Sequence, residues 1–230
     1  MNQEGSDIAY HALTQGFLIK LRENFDRVSL FVMSITAVAN YKKQNGFLNR
    51  FFKANSMKHF LGIDPGKEGF FVTIDQHGKL VEAFGIPQIG NEYDKKAILE
   101  YFTKNEFQHI VLENPGMIFG ASKSSVASLQ KCISLIEGLL FASGKSHTLV
   151  APKTWQATMW KHTAKQYKTG TEKKQVDTKA TSLLAAMNLF PEVNFKVTKK
   201  GSASKNYNDN FVDGILLADY GRRMYISNEL

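Results

Sequence analysis

The segment from Lys58 to Asp75, KHFLGIDPGKEGFFVTID, places two apolar runs on either side of a tight turn. Phe60 to Ile63 predict a buried strand, Pro65 to Gly69 predict the turn, and Phe70 to Ile74 predict an antiparallel partner strand. Asp64 then ends an apolar strand, where a buried carboxylate is costly unless a cation or hydrogen-bond donors meet it. Asp64 therefore indicates a metal site, or else it caps the Asp-Pro-Gly turn.

The positive charge is concentrated in one part of the chain. The 230 residues carry a formal net charge of +8. Between Lys145 and Lys205 the sequence has twelve lysines against Glu172, Asp177 and Glu192, which gives that segment a local charge of +9. Such a segment favours a polyanionic partner such as nucleic acid, with a solvated lysine-rich face as the alternative.

Cysteine and histidine usage argues against two other kinds of site. Cys132 is the only cysteine, so an intramolecular disulfide is impossible, and its spacing with Leu129, Ile133 and Ile136 predicts a buried position on a helix. The six histidines include neither an HExxH motif nor paired Cys/His spacing, so a zinc site is not indicated.

Residues 1–56 are predicted to form an N-terminal helical extension, separate from a domain at residues 57–230. Leucine and phenylalanine recur every four residues among charged ones, as on an amphipathic helix: Leu13, Phe17, Leu21 and Phe25. The uncharged run 28–41 is too short to span a membrane, and no signal or transit peptide is indicated. The extension is either a helical arm that packs on the body or a partner, or untranslated upstream sequence if Met57 is the true start.

The rest of the chain alternates apolar strand patterns with helical spacing. Residues 108–112 predict a short strand that ends in Glu113, a second acid at a strand end. The other predicted strands are 79–86 and 146–150, and the predicted helices are 94–104, 122–142, 152–160, 172–188 and 209–224. This order describes an α/β fold, a mixed five-stranded sheet flanked by helices.

Four acids are expected to meet in such a fold. The first and fourth strands of the sheet can be neighbours, which would bring Asp64 and Glu113 together. Asp209 and Asp213 are four residues apart on the last predicted helix and so lie on one face of it, with Asn210 beside them. Asp209 can also serve as the N-cap of that helix, and the two roles are compatible.

These motifs together resemble the RuvC family of Holliday-junction resolvases, including its plant chloroplast relatives. The similarity covers about residues 57–223, and its motifs are GIDPG, VLENP, GTEKKQVDTKATSLLAAM and NFVDGILLADYGRR, in the family's order. The resemblance implies a ribonuclease H-like fold, a homodimer with two active sites, and metal-dependent cleavage of four-way DNA junctions.

The resemblance also implies the catalytic and metal-binding residues. Asp64, Glu113 and Asp213 match the family's acids on the first strand, the fourth strand and the last helix. A fourth ligand lies three or four residues before the last acid, where this chain has Asn210 and Asp209, and Asp209 is preferred because it ionises. Carboxylates suit Mg²⁺ or Mn²⁺, and two such ions per site activate water and neutralise the leaving oxygen in phosphodiester hydrolysis.

The expected DNA contacts lie on the basic segment and near the VLENP motif. Phe119 is the residue predicted to wedge between bases at the crossover, as an apolar residue does in the family. Trp155 and Trp160 are interpreted as core residues rather than stacking platforms. The lysines predicted to contact the DNA backbone are Lys153, Lys161, Lys173 and Lys174.

Other functions remain open at this stage. An actin-like ATPase or sugar kinase also has a Gly-Ile-Asp turn, but it needs a second glycine-rich phosphate loop and a longer chain. A different ribonuclease H-like nuclease acting on RNA–DNA hybrids or flaps is the main alternative, and a non-catalytic DNA-binding protein is another. Helix 122–142 is expected to form the dimer contact by family analogy, and the cytoplasm, without a membrane partner, is the expected location.

Overall fold

A computed structural model describes residues 57–116, 122–170, 174–198 and 200–228. These residues belong to one compact unit, Met57–Leu230. The predicted helical extension at residues 1–56 lies outside the described residues and stays a prediction.

The strands of the described residues are β1 His59–Asp64, β2 Phe70–Asp75, β3 Leu80–Gly85, β4 Gln88–Ile89, β5 Glu92–Tyr93, β6 His109–Glu113 and β7 Thr148–Val150. Five of them form the main sheet, in the order β3-β2-β1-β6-β7. β1 pairs antiparallel with β2 and parallel with β6, while β2 pairs antiparallel with β3, and β6 parallel with β7. The short strands β4 and β5 form a separate hairpin.

This strand order is the ribonuclease H-like arrangement. A three-stranded antiparallel meander, β1 to β3, is extended on its β1 side by two parallel strands, so that β2 alone runs against the others in the main sheet. Parallel strands need crossover connections, and the helices after β1–β3 and after β6 supply them. The predicted fold class and the predicted pairing of the first and fourth main strands are both confirmed.

Helices cover both faces of the sheet. Along β1, Phe60 packs into one hydrophobic cluster, whereas Leu61 and Ile63 pack into the other, as the alternation of a strand requires. The helices on the Leu61 side are α1 Lys95–Lys104 and α2 Lys123–Ala142. Those on the Phe60 side are α3 Pro152–Met159, α4 Thr178–Leu189 and α5 Asp209–Asn228.

Helix α5 lies unusually close to the centre of the sheet because glycines form the contact. A Cβ atom added to Gly62 on β1 would collide with the carbonyl oxygen of Gly214 on α5. A Cβ at Gly214 would lie 2.6 Å from Cγ2 of Val72. This close packing places the first turns of α5 against the end of β1, where Asp64 lies.

The predicted helix 172–188 is partly wrong. The helix begins at Thr178 with Asp177 as its N-cap, whose side chain accepts a hydrogen bond from the Ala180 amide. Before it, Tyr167 and Val176 form an antiparallel bridge, so the segment from Gln175 to Asp177 belongs to a hairpin instead. This pairing across the hairpin overrides the helix-favouring composition of the segment.

The idea that Asp209 caps the last helix is also wrong. The Asn208 side chain accepts the hydrogen bond from the Phe211 amide at 3.0 Å, so Asn208 is the cap. Asp209 is the first helical residue, and its carboxylate is free of the capping role.

Helix α2 is the one helix of the described residues with enough length and mean hydropathy (1.3) for a membrane span. Four of its residues, Cys132, Ile133, Ile136 and Leu140, are buried in the core of the domain. This packing is typical of a core helix, and it confirms the predicted buried position of Cys132.

Candidate active site

Asp64 and Glu113 lie side by side at the ends of the neighbouring strands β1 and β6. Ile63 is paired with Leu112 across the parallel strands β1 and β6, so the two acids are the next residues at the same edge. Because side chains alternate along a strand, Asp64 lies on the same face as Phe60, and Glu113 on the same face as Val111. Phe60 and Val111 belong to one cluster, which packs against α5, so both acids point toward that helix.

Helix α5 contributes two more acids. Asp213 follows Asp209 by one turn, as expected for residues on one helical face. The Ser182 hydroxyl of α4 donates a hydrogen bond to the Asp213 carboxylate. The Oδ1 atom of Asp213 is buried and has no hydrogen-bond partner among the described residues.

The electrostatics show that the four acids form one cluster. Burial raises the pKa of Asp64 well above its usual value, and the charges of Glu113 and Asp213, and more weakly Asp209, raise it further. The pKa of Asp213 rises from 3.8 to about 7, chiefly through burial and then through Glu113. Burial also raises the pKa of Glu113. Such convergence destabilises the charged forms unless a cation is present.

A tryptophan holds the Glu113 carboxylate. The Trp155 indole donates from Nε1 to Oε1 of Glu113 at 2.8 Å, which opposes the rise in the pKa of Glu113. Trp155 itself is fully buried, which is consistent with its interpretation as a core residue. The motif analysis did not predict this hydrogen bond, because the two residues are far apart in the sequence.

Lys179 lies beside the acid cluster, and the sequence analysis did not single it out. Its Nζ atom lies 2.6 Å from Oδ2 of Asp209, and its positive charge lowers the pKa of both Asp64 and Asp213. The only sequence signal was its position nine residues after Gly170 in a motif already singled out. A lysine in a segment with twelve lysines does not stand out.

Asp209 and Asn210 have different surroundings. The Asn210 side chain donates from Nδ2 to the backbone oxygen of Glu68, in the turn between β1 and β2, at 2.7 Å. Asp209 instead acts electrostatically on Asp64 and Asp213. The charged cluster thus includes Asp209, while Asn210 ties α5 to the β1–β2 turn.

The donor set fits a hard divalent ion in its chemistry. All four side chains offer carboxylate oxygens, which Mg²⁺ prefers, and the unpartnered Oδ1 of Asp213 is a buried acceptor for a cation. Among the described residues, however, no three Asp, Glu, His or Cys side chains are already arranged to hold one ion. The four carboxylates therefore lie in one cluster, although no three of them already surround one point in the described part of the chain.

The predicted DNA contacts are only partly described. Lys153 near the start of α3 and Lys161 just after it are exposed. Lys174 lies on the hairpin before α4, with Nζ 4.2 Å from the centre of the Tyr167 ring. Lys173 and Phe119 lie outside the described residues and stay predictions.

Comparisons with known proteins gave structural neighbours only. No protein-family model matches this sequence, and no curated protein matches it significantly. The chain is similar to Thermus thermophilus RuvC, with 13% identity and a TM-score of 0.49 over 74% of this chain and 96% of that one. It is also similar to T. thermophilus RuvC in complex with a Holliday junction substrate, with 12% identity and a TM-score of 0.48 over 75% of this chain and 96% of that one. Identities this low bear on the fold alone, and the fold assignment follows from the strand order.

Proposed function

We propose that this chain is a metal-dependent endonuclease that resolves four-way DNA junctions. The observation that carries the proposal is the burial of carboxylates from three separate elements, β1, β6 and α5, in one cluster. Burial raises the pKa of Asp64, Glu113 and Asp213, and neighbouring acids raise the pKa of Asp64 and Asp213 further, which is unfavourable for a purely structural site. A divalent ion removes this cost, so the arrangement suits a metal site.

Each acid has a role in this proposal. Asp64, Glu113 and Asp213 would hold Mg²⁺ or Mn²⁺, and Asp209 would be the fourth ligand. Two bound ions would activate water and neutralise charge on the leaving oxygen of a phosphodiester. Trp155 and Ser182 orient the carboxylates of Glu113 and Asp213 through their hydrogen bonds.

The choice of DNA as substrate rests on charge. The segment 145–205, with its local charge of +9, includes α3 and α4, which lie on the same face of the sheet as the acids, and the hairpin between these helices. We expect Lys153, Lys161, Lys173 and Lys174 to contact phosphates, and Phe119 to act as the wedge. The choice of four-way junctions over other nucleic acids rests on the ordered motifs shared with the RuvC family.

Junction resolution also requires a dimer, because paired symmetric cuts need paired active sites. The face of α2 opposite its buried residues exposes small side chains, Lys131 and one large apolar side chain. Phe141 is 86% exposed, whereas Leu140 beside it is fully buried. We therefore place the two-fold contact along α2.

A substrate panel tests the proposed function. A four-way junction is compared with duplex, flap and RNA–DNA hybrid, each with Mg²⁺ and with EDTA. We expect Mg²⁺-dependent paired nicks in the junction alone. Cleavage of the hybrid or the flap instead would indicate a ribonuclease H-like nuclease with a different substrate. Binding without cleavage of any substrate would indicate a non-catalytic DNA-binding protein.

A further inference from the structure

The acid cluster already has a cation beside it. Lys179 on α4 and Asp209 on α5 form an ion pair with Nζ and Oδ2 at 2.6 Å, although their side chains are 71% and 41% exposed. Glu113 instead accepts a hydrogen bond from the neutral Trp155 indole, and Asp213 accepts one from the Ser182 hydroxyl. The cluster therefore combines four carboxylates with one ammonium group.

The position of Lys179 is not explained by the stability of its own helix. α4 begins at Thr178, so Lys179 lies in its first turn, where the helix dipole disfavours a positive charge. Asp177, the N-cap, uses its side chain to accept from Ala180. The ion pair with Asp209 on another helix is thus the strongest favourable interaction of Lys179, and the charges of Asp213 and Asp177 add weaker attraction.

The ion pair also uses an atom that a metal ion would need. An ammonium on Oδ2 of Asp209 competes with a divalent ion for the same carboxylate. No three metal-binding side chains of the described residues are arranged around one point. At the same time Oδ1 of Asp213 is buried with no partner in the described part of the chain, which leaves an acceptor for an incoming cation.

We propose that Lys179 is an internal counter-ion of the acid cluster, which occupies Asp209 in the metal-free protein and which a divalent ion must displace to gain that carboxylate. This inference rests on the proposed function in taking the acids as the metal ligands. Lys179 is then a positioning residue: it lowers the affinity of the cluster for divalent ions and keeps the four acids together when no ion is bound.

The test is a Mn²⁺ titration of the full-length protein without DNA, followed through the electron paramagnetic resonance signal of free Mn²⁺. In Lys179→Met the dissociation constant is expected to fall about tenfold, because a positive charge beside an exposed divalent ion has an effect of that order. Lys179→Arg keeps the charge and should keep the wild-type dissociation constant.

Lys104→Met is the matched control. Lys104 forms an exposed ion pair with Glu100 at 3.0 Å on α1, which packs on the other face of the sheet. Its loss removes the same charge and the same kind of pair, and it should leave Mn²⁺ binding unchanged. An unchanged dissociation constant in Lys179→Met, or an equal decrease in Lys104→Met, would overturn the inference.

Thermal denaturation gives a second readout that does not depend on catalysis. Lys179→Met should have a lower Tm than wild type in EDTA, because four carboxylates lose their counter-ion, and a larger rise in Tm with Mn²⁺. An equal rise in Tm for both proteins would argue against competition at Asp209.

The two claims fail in different ways. If wild type cuts junctions but Lys179→Met binds Mn²⁺ as wild type does, the proposed function stands and the role of Lys179 is wrong. If Lys179→Met binds Mn²⁺ more tightly, Asp64→Asn abolishes that binding, and wild type cuts no junction, the role of Lys179 stands and the proposed function is wrong.

Discussion

Replacing Asp213 by Asn is expected to stabilise the metal-free protein at neutral and higher pH. The pKa of Asp213 rises from 3.8 to about 7 in the folded chain, mainly through burial. The folded state binds this proton more tightly than the unfolded state. The contribution of Asp213 to the free energy of unfolding is therefore fully present below pH 4 and is lost as the pH rises to 7. Each pKa unit is worth ~1.36 kcal/mol, so the loss is about 4 kcal/mol at pH 8.

Asparagine has nearly the same shape as aspartate but does not ionise, so the free energy of unfolding of the variant does not decrease as the pH rises. Its side-chain oxygen can still accept from the Ser182 hydroxyl. The free energy of unfolding is measured by urea denaturation in EDTA between pH 4 and 8. The variant should be more stable by about 4 kcal/mol at pH 8, with the difference growing from pH 4 to 7 and then levelling off.

Two outcomes would refute this reasoning. One is a variant less stable than wild type at pH 8 in EDTA, and the other is a difference that does not change with pH. Saturating Mn²⁺ provides the internal check, because it should stabilise wild type and leave Asp213→Asn almost unaffected.

Three further predictions concern the surroundings of the site. Trp155→Phe removes the hydrogen bond to Glu113 and should lower the free energy of unfolding by about 2–4 kcal/mol in urea denaturation; an unchanged value would show that the bond is not formed. Phe141→Glu should halve the molar mass measured by light scattering and produce single nicks in place of paired ones. A variant that remains dimeric would show that the dimer contact does not lie along α2. Lys161→Met should reduce the slope of log K against log salt for DNA binding by about 0.9, and Lys104→Met should leave it unchanged. Equal slopes for the two variants would show that Lys161 does not contact the DNA.

Most of the fold could be predicted because local patterns and chain topology agree. The Asp-Pro-Gly turn between two apolar runs fixed the first hairpin, and the order of strands and helices indicated the mixed sheet. The exceptions have physical reasons. β4 and β5 have two residues each, too few for a periodic pattern. The hairpin before Thr178 depends on pairing between Tyr167 and Val176, which composition does not reveal.

The positions of the candidate site residues were predictable only where they depend on the backbone. Asp64 and Glu113 end two paired strands, and Asp209 and Asp213 share a helical face, so topology and periodicity bring the four acids together. Lys179 contacts an acid 30 residues away, which no spacing rule indicates. Its side chain reaches Asp209 because α4 packs against α5, and that packing is a tertiary property.

The central claim is that the acid cluster cuts junction DNA, and the most direct test compares Asp64→Asn with wild type on a four-way junction. Binding is measured by gel shift and cleavage by denaturing gel, both in Mg²⁺, with Glu100→Gln on α1 as the control for loss of a surface carboxylate. We predict that wild type and Glu100→Gln bind and cut, while Asp64→Asn binds equally well and does not cut. Cleavage by Asp64→Asn at the wild-type rate, or no cleavage by wild type, would contradict the account.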